Sequence, residues 1–334
     1  MDQPIFIAVD SGKHSTKVIG KRGGSIVSLS FLTKVKEAEN VNMDMWKKGS
    51  HVKHVKMDGI EYLIGDVCGI EILDFTLTKQ TNVHKMCIYT AIAAIMQELA
   101  SNETEVEINL AVNMPALIYK NEQRKNELKT FISNDGEPIS LELNNKRLTF
   151  RISFILVLPE GLGPVYRQTN EFGNERCVVM DIGSLNTTFI EFDHLIPQYN
   201  KMTSSELGIS FLKAKVAEVL GTKYGTIISD NVSEQALRNQ YLYMYGEKKE
   251  KSHELIKREM EVHMKEIINF ARSRKITLEN DKVIVVGGGS LILRNTIAHF
   301  LPHALCSNDP IWETAKTFLH ILEVKWDAKK KLQC

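Results

Sequence analysis

Two short stretches carry the residue types for handling a charged ligand: IAVDSGKHSTKVIG around Asp10 and VVMDIGSLNTTFIEF around Asp181. In each, an apolar run ends in an aspartate, a glycine follows two residues on, and small hydroxyl residues lead into a second β-like run. Laid on one another, Asp10 meets Asp181, Gly12 meets Gly183, Thr16 meets Thr187 and Ile19 meets Ile190. Both glycine turns continue as strands, so they read as hairpins rather than the strand–loop–helix of a P-loop or Rossmann unit. No G-x-x-x-x-G-K-[ST] occurs in the chain. A tight turn rich in Gly, Ser and Thr directs successive N–H groups and hydroxyls at one point, which suits an anion. The aspartate at the head of each hairpin adds the charge that holds a hydrated Mg²⁺ on a polyphosphate. The duplication therefore predicts two halves serving one nucleotide in a cleft. A third stretch, VIVVGGGSLI, places Gly287, Gly288 and Gly289 between a strand and a helix. Three residues without Cβ let a flat ring lie against the backbone at a helix start.

The elements that must position these residues alternate between strand and helix patterns. Ile5–Val9 and Lys17–Ile19 predict the first hairpin, with Ser25–Phe31 as a third strand. From Thr33 to Gly59 the sequence turns polar and irregular, which predicts an inserted surface lobe at about 33–60. A helix is expected over Val83–Ala100, a strand over EVEINLAVNMP, an amphipathic helix over NEQRKNELKTFI and a strand over Arg147–Leu158 that stops at Pro159. In the second half, Glu206–Leu220 and Ser252–Arg274 read as helices; on the latter Leu255, Ile256, Met260, Met264, Ile267, Ile268 and Ala271 recur at helical spacing. Such alternation means α/β layers, one set per half.

Bulk properties exclude more than they assign. With 334 residues the chain is long enough for two cores, and 43% hydrophobic with 25% charged residues is a globular composition. A net charge of +1 offers no basic field for nucleic acid or an anionic membrane, so neither is expected to be bound directly. The N-terminal MDQPIFIAVD has no basic n-region or cleavage site, so no signal peptide is expected. The apolar stretch Met86–Met96 is too short to span a bilayer. Five scattered cysteines without C-x-x-C spacing fit a reducing cytoplasm.

Taken together, AVDSGKHSTK, LPEG, VVMDIGSLNTT, VIVVGGGS and SNDPIWETAKTFL resemble the phosphate-1, connect-1, phosphate-2, adenosine and connect-2 motifs of the actin-like ATPase superfamily. Within it the chain is most similar to bacterial plasmid-segregation actins of the ParM type, to which SSELGISFLKAKVAEVL also points. The resemblance runs from residue 5 to about 322. It implies an actin-like fold of two related RNase H-like α/β domains around a nucleotide cleft. The first would span 1–158 with the C-terminal helix 312–334, and the second 159–311. Asp10 and Asp181 would hold Mg²⁺ through water, with Ser11, Gly12, Lys13, Lys17, Gly183, Ser184 and Thr187 on the phosphates. Glu160 would orient the attacking water, Gly287, Gly288 and Gly289 would line adenine and ribose, and Glu206 would touch the ribose. The connect-2 segment departs from the family pattern, with Ala315-Lys316-Thr317 where a hinge glycine is usual.

The resemblance further implies Mg²⁺ with ATP or GTP, hydrolysis coupled to polymerisation, a cytoplasmic homopolymer, and a small DNA-binding adaptor at a centromere-like site. Sugar and acetate kinases share the fold, but their substrate-binding insertions have no room here. A cell-shape actin of the MreB type would show an apolar membrane-binding segment. A scaffold that binds nucleotide without hydrolysis would not need Asp10, Glu160 and Asp181 together. The HVKH pair, His51 and His54, lacks a partner at metal-ligand spacing, HELIK at His253 is not H-E-x-x-H, and the basic tail reads as a solvated helix end. Met43, Met45 and Trp46 stand out in the polar lobe as local core or as subunit anchors.

Overall fold

The computed structural model describes residues 3–38, 52–66, 78–100, 103, 105–279 and 281–332. Met43, Met45, Trp46, His51, Cys68 and Cys334 lie outside them. The chain divides into two compact units, Met1–Glu160 with Thr314–Cys334, and Gly161–Glu313.

The first unit is built on a nine-stranded sheet. In chain order its strands are β1 (Ile5–Ser11), β2 (Ser15–Arg22), β3 (Ser25–Leu32), β4 (Val35–Glu37), β5 (Val52–Met57), β6 (Ile60–Gly65), β7 (Glu105–Met114), β8 (Ile139–Leu143) and β9 (Lys146–Pro159). They lie in the order β3-β2-β1-β7-β9-β8-β5-β6-β4. The first three form an antiparallel meander, and β7 and β9 then add in parallel. β1 is central and buried on both faces, which is why its sequence is continuously apolar up to Asp10. The helix expected at Val83–Ala100 is α1 (Asn82–Leu99), capped by the Thr81 hydroxyl on the His84 N–H. Its Met86–Met96 stretch is buried. A Cβ on Gly20 of β2 would come within 2.1 Å of Ile95 Cγ2, so glycine is what lets sheet and helix close up. Helix α2 (Glu122–Ser133) packs Leu128 and Ile132 into the same core.

The expected irregular lobe needs correction. Val35–Glu37 and Val52–Met57 are strands of the main sheet, and β5 pairs with both β6 and β8. In VKHVKM only Val55 is fully buried. An edge-region strand with one inward residue gives too weak an alternation to stand out in sequence. His54 bonds Glu61 at 3.2 Å within this sheet.

The second unit repeats the scheme. Its strands are β10 (Arg176–Ile182), β11 (Thr187–Asp193), β12 (Ile196–Pro197), β13 (Thr203–Ser205), β14 (Leu242–Met244), β15 (Glu247–Lys249), β16 (Lys282–Val286) and β17 (Leu305–Cys306). The order β12-β11-β10-β16-β17 is again an antiparallel pair extended by parallel strands, with β13 also pairing β11. Its helices are α3 (Thr169–Phe172), α4 (Ile209–Tyr224), α5 (Asp230–Asn239), α6 (Ser252–Ser273), α7 (Gly289–Ile292) and α8 (Arg294–Phe300). The apolar face read on α6 is the buried one: Ile256, Met260, Met264, Ile267, Ile268 and Ala271. The helix expected from Glu206 begins instead at Ile209, because Gly208 is locked ahead of it by its N–H bond to the Leu185 carbonyl.

The C-terminal helix, Glu313–Lys331, belongs to the first unit from Thr314 onward. Trp326 meets Phe6 edge-on at 5.2 Å, and Lys21 pairs with Glu323 at 2.6 Å. Cys87 and Cys177 are buried, which pushes each thiol up to about 12, so both serve as packing groups. No helix among the described residues is long and apolar enough to cross a membrane.

Candidate functional site

The first hairpin places its chemistry at the end of β1. Register sets Asp10 opposite Lys17 and Ser11 opposite Thr16, and the Gly12 N–H closes the turn on the Ser15 carbonyl at 3.0 Å. Lys17 Nζ donates to Asp10 Oδ2 at 3.1 Å. Parallel pairing of β1 with β7 brings Asn113 alongside. Its Oδ1 accepts from the Ser11 N–H at 3.0 Å, and its Nδ2 donates to Asp10 Oδ1 at 2.8 Å and to Glu160 Oε1 at 3.2 Å. Glu160 follows β9 and keeps the ladder going through its N–H to the Met114 carbonyl at 2.9 Å. Lys79, 5% exposed, donates to the Ser11 carbonyl at 2.6 Å and pairs with Glu160. Asp10, Lys17 and Glu160 are thus brought together.

Ser11 is placed differently from a phosphate contact. Its hydroxyl bonds Thr16, which bonds Thr33, and its N–H and carbonyl are held by Asn113 and Lys79. The turn residues Gly12, Lys13, His14 and Ser15 are half-buried.

In the second hairpin the register is the same: Asp181 opposes Thr188, Ile182 opposes Thr187, and the Gly183 N–H closes the turn on the Asn186 carbonyl at 2.8 Å. The first turn of α4 is tied to it, with Ile209 N–H on the Gly183 carbonyl and Ser210 N–H on the Ser184 carbonyl. The Thr187 hydroxyl is spent on the Leu207 carbonyl at 2.7 Å, whereas that of Ser184 meets Ser210 at 3.0 Å on a half-buried surface. Glu206 is exposed just ahead of this helix.

The three glycines divide by role. Gly287 has φ +84°, and a Cβ there would lie 2.2 Å from Asp181 Oδ1. A Cβ on Gly289 would lie 2.4 Å from Ile182 Cγ2. Both let β16 and α7 close onto the second hairpin, so packing accounts for them. A Cβ on Gly288 would meet nothing within 4 Å. Gly288 is therefore the one whose missing side chain the fold itself leaves unexplained. In the connect-2 segment Ala315 is fully buried, and Glu313 is held by Arg167 and by the Ser307 hydroxyl at 2.8 Å.

Sequence reasoning missed Asn113 and Lys79. The signal for Asn113 was one polar residue in an otherwise apolar strand end, AVNMP. Lys79 gave none beyond its place before a helix cap. Among the described residues no cluster of three or more His, Cys, Asp or Glu could hold a metal by itself. Asp10 and Glu160 in the first unit, and separately Asp181 in the second, carry carboxylate oxygens, the hard donor type that Mg²⁺ takes and a soft transition metal does not.

This pair of sheets, each a hairpin extended by parallel strands, defines the class. Residues 8–163 match the family described as actin like proteins N terminal domain, and residues 179–299 match archaeal actin homologue MreB-like, C-terminal. Each half of the chain thus matches an actin-like family model, and the chain has the actin-like α/β fold. Among solved structures it is similar to the Alp12 filament structure, at 24% identity and a TM-score of 0.71, covering 97% of this chain and 99% of that one. It is also similar to Ta0583, an archaeal actin homolog, at 16% identity and a TM-score of 0.78, covering 96% and 99%. A third is Bacillus thuringiensis ParM with ATP, at 13% identity and a TM-score of 0.72, covering 97% and 99%. No curated protein sequence matches the chain.

Proposed function

We propose that the chain is an ATP-dependent, filament-forming actin-like protein that segregates or positions plasmid DNA, and that hydrolysis releases its filaments. The observation that carries this reading is the repeated hairpin, whose turn bond and register recur with an aspartate at the head of each copy. Both hairpins would serve one Mg-nucleotide, held by turn N–H groups and by Lys13, Lys17 and Ser184. Mg²⁺, held through water by Asp10 and Asp181, would supply charge neutralisation on the phosphates. Glu160 would accept a hydrogen bond from the attacking water and aim it; such transfer depends mainly on positioning and charge stabilisation. Gly288 would give the base room. The relatives described as a filament and as a ParM with ATP support assembly and the choice of nucleotide. With a net charge of +1 the chain would reach DNA through an adaptor protein.

Pelleting and negative-stain microscopy with and without Mg-ATP, together with phosphate release, test the reading. Filaments that need Mg-ATP and shed phosphate are expected. Phosphate passed to a small acceptor without filaments would instead make the chain a kinase of the same fold.

A further inference from the structure

One buried ammonium in the first unit has no part in the reading above. Lys79 lies two residues before the Thr81 cap of α1 and is 5% exposed. Lysine is seldom this buried unless paired, and removing one member of such a pair leaves an uncompensated charge. Its partners are specific: the Ser11 carbonyl at 2.6 Å and Oε1 of Glu160. The same Oε1 accepts from Asn113 Nδ2 at 3.2 Å. Asn113 in turn grips the hairpin through Asp10 Oδ1 at 2.8 Å and the Ser11 N–H at 3.0 Å. Two donors, both anchored on the last residues of β1, therefore converge on one oxygen of Glu160. That fixes the rotation of the carboxylate and leaves Oε2 outside both of these bonds.

We propose that Lys79 is a positioning residue for turnover, setting with Asn113 the direction in which Glu160 presents its carboxylate. The inference rests on the reading of the chain as a nucleotide hydrolase. Lys79 touches Glu160 and a backbone carbonyl, so its removal disturbs aim and leaves the phosphate-holding turn in place. A reacting group misplaced by about 1 Å costs on the order of 10²-fold in rate.

The test is steady-state phosphate release with Mg-ATP for Lys79→Met, Lys79→Arg and Asn113→Ala, with nucleotide Kd and melting measured on each. Lys79→Met should lower kcat about 10–100-fold while KM and Kd stay within about threefold. Lys79→Arg, which keeps the charge and the donors, should recover most of the loss. In a Glu160→Gln background, adding Lys79→Met should change kcat less than about twofold, because the two act as one unit. A parental kcat in Lys79→Met, or a loss that persists undiminished in the Glu160→Gln background, overturns the assignment. Should Lys79→Met fail to fold, Asn113→Ala decides by the same split: a fall in kcat alone supports the clamp, and an unchanged kcat overturns it. A parental protein that releases no phosphate overturns the hydrolase reading and this inference together. A parental protein that releases phosphate, with variants that match it, overturns the inference alone.

Discussion

Across the ladder from Asp10 stands Lys17, and across from Asp181 stands Thr188, although the two hairpins share one register. Around the first aspartate the neighbours are charged or amide side chains: Lys17, Lys79, Asn113 and Glu160. At the second hairpin, small residues let backbone come close. A Cβ on Gly208 would lie 2.3 Å from the Ser184 carbonyl oxygen, and one on Gly287 would strike Asp181 itself. The first copy of the duplicated scaffold is marked by bonds between side chains, and the second by close backbone packing. Substitutions in the first should therefore appear in metal binding and turnover, and substitutions in the second in stability and in the fit of the base.

The largest effect should come from Asp10→Ala. Mg-nucleotide binding and filament assembly should both be lost. The fold should also weaken, because Lys17 Nζ and Asn113 Nδ2 each lose the Asp10 oxygen to which they donate. Isothermal titration and urea unfolding would show both, and normal affinity would break the contrast at its root. Glu160→Ala comes next. Phosphate release should fall about 10²–10⁴-fold while the variant still assembles. Light scattering should then show filaments that persist after the parental ones have disappeared. Hydrolysis at the parental rate would reduce Glu160 to a structural acid.

The second hairpin is best tested through its glycines. Gly287→Ala combines a clash with a φ of +84° and should cost about 2–4 kcal/mol. Gly288→Ala should leave the unfolding midpoint unchanged yet weaken nucleotide binding severalfold. Equal thermal melts for both variants would show that proximity is not what the second copy supplies.

A further difference within the second unit concerns His263, on α6. Both ring nitrogens are buried without a hydrogen-bond partner, and the ring stacks on Phe211 at 6.0 Å. Burial lowers its pKa to about 4. The unfolded chain, with an ordinary histidine near 6.5, binds more protons than the folded one between those values. Stability is thus full above about pH 6.5 and falls as pH drops toward 4, by about 1.4 kcal/mol per pH unit. His263→Phe should flatten that slope in urea titrations at pH 7, 6 and 5. An unchanged slope would place the acid sensitivity of the second unit elsewhere.

Much of this contrast was legible in the sequence because it rests on residue types that few positions tolerate. Asp, Gly and Thr recurring at fixed offsets predicted the shared register, and the continuing β pattern excluded a P-loop. What stayed hidden was carried by partners far apart in the chain. Lys79 is 68 residues from the carbonyl it grips, and Asn113 is 103 from the aspartate it holds. Each is a single polar residue with no periodicity of its own. The glycine triplet stood out in the sequence but not its division of labour, since only the fold shows that Gly287 and Gly289 serve packing. Strand β5 escaped because one inward residue in six makes no pattern, and β4 because its three residues include no buried one.

The way the units divide the chain sets an order of events on the ribosome. Residues 161–313 form one uninterrupted unit, whereas the first unit is closed by residues 314–334. Trp326 against Phe6, Glu323 on Lys21 and Lys329 over the Phe154 ring all belong to that closing segment. During synthesis the second unit therefore has every residue it needs while the first still lacks its last helix. The nascent first unit must carry an uncovered face of its sheet through the translation of about 150 further residues, several seconds at least at ordinary elongation rates. The half that is begun first is the half that is finished last.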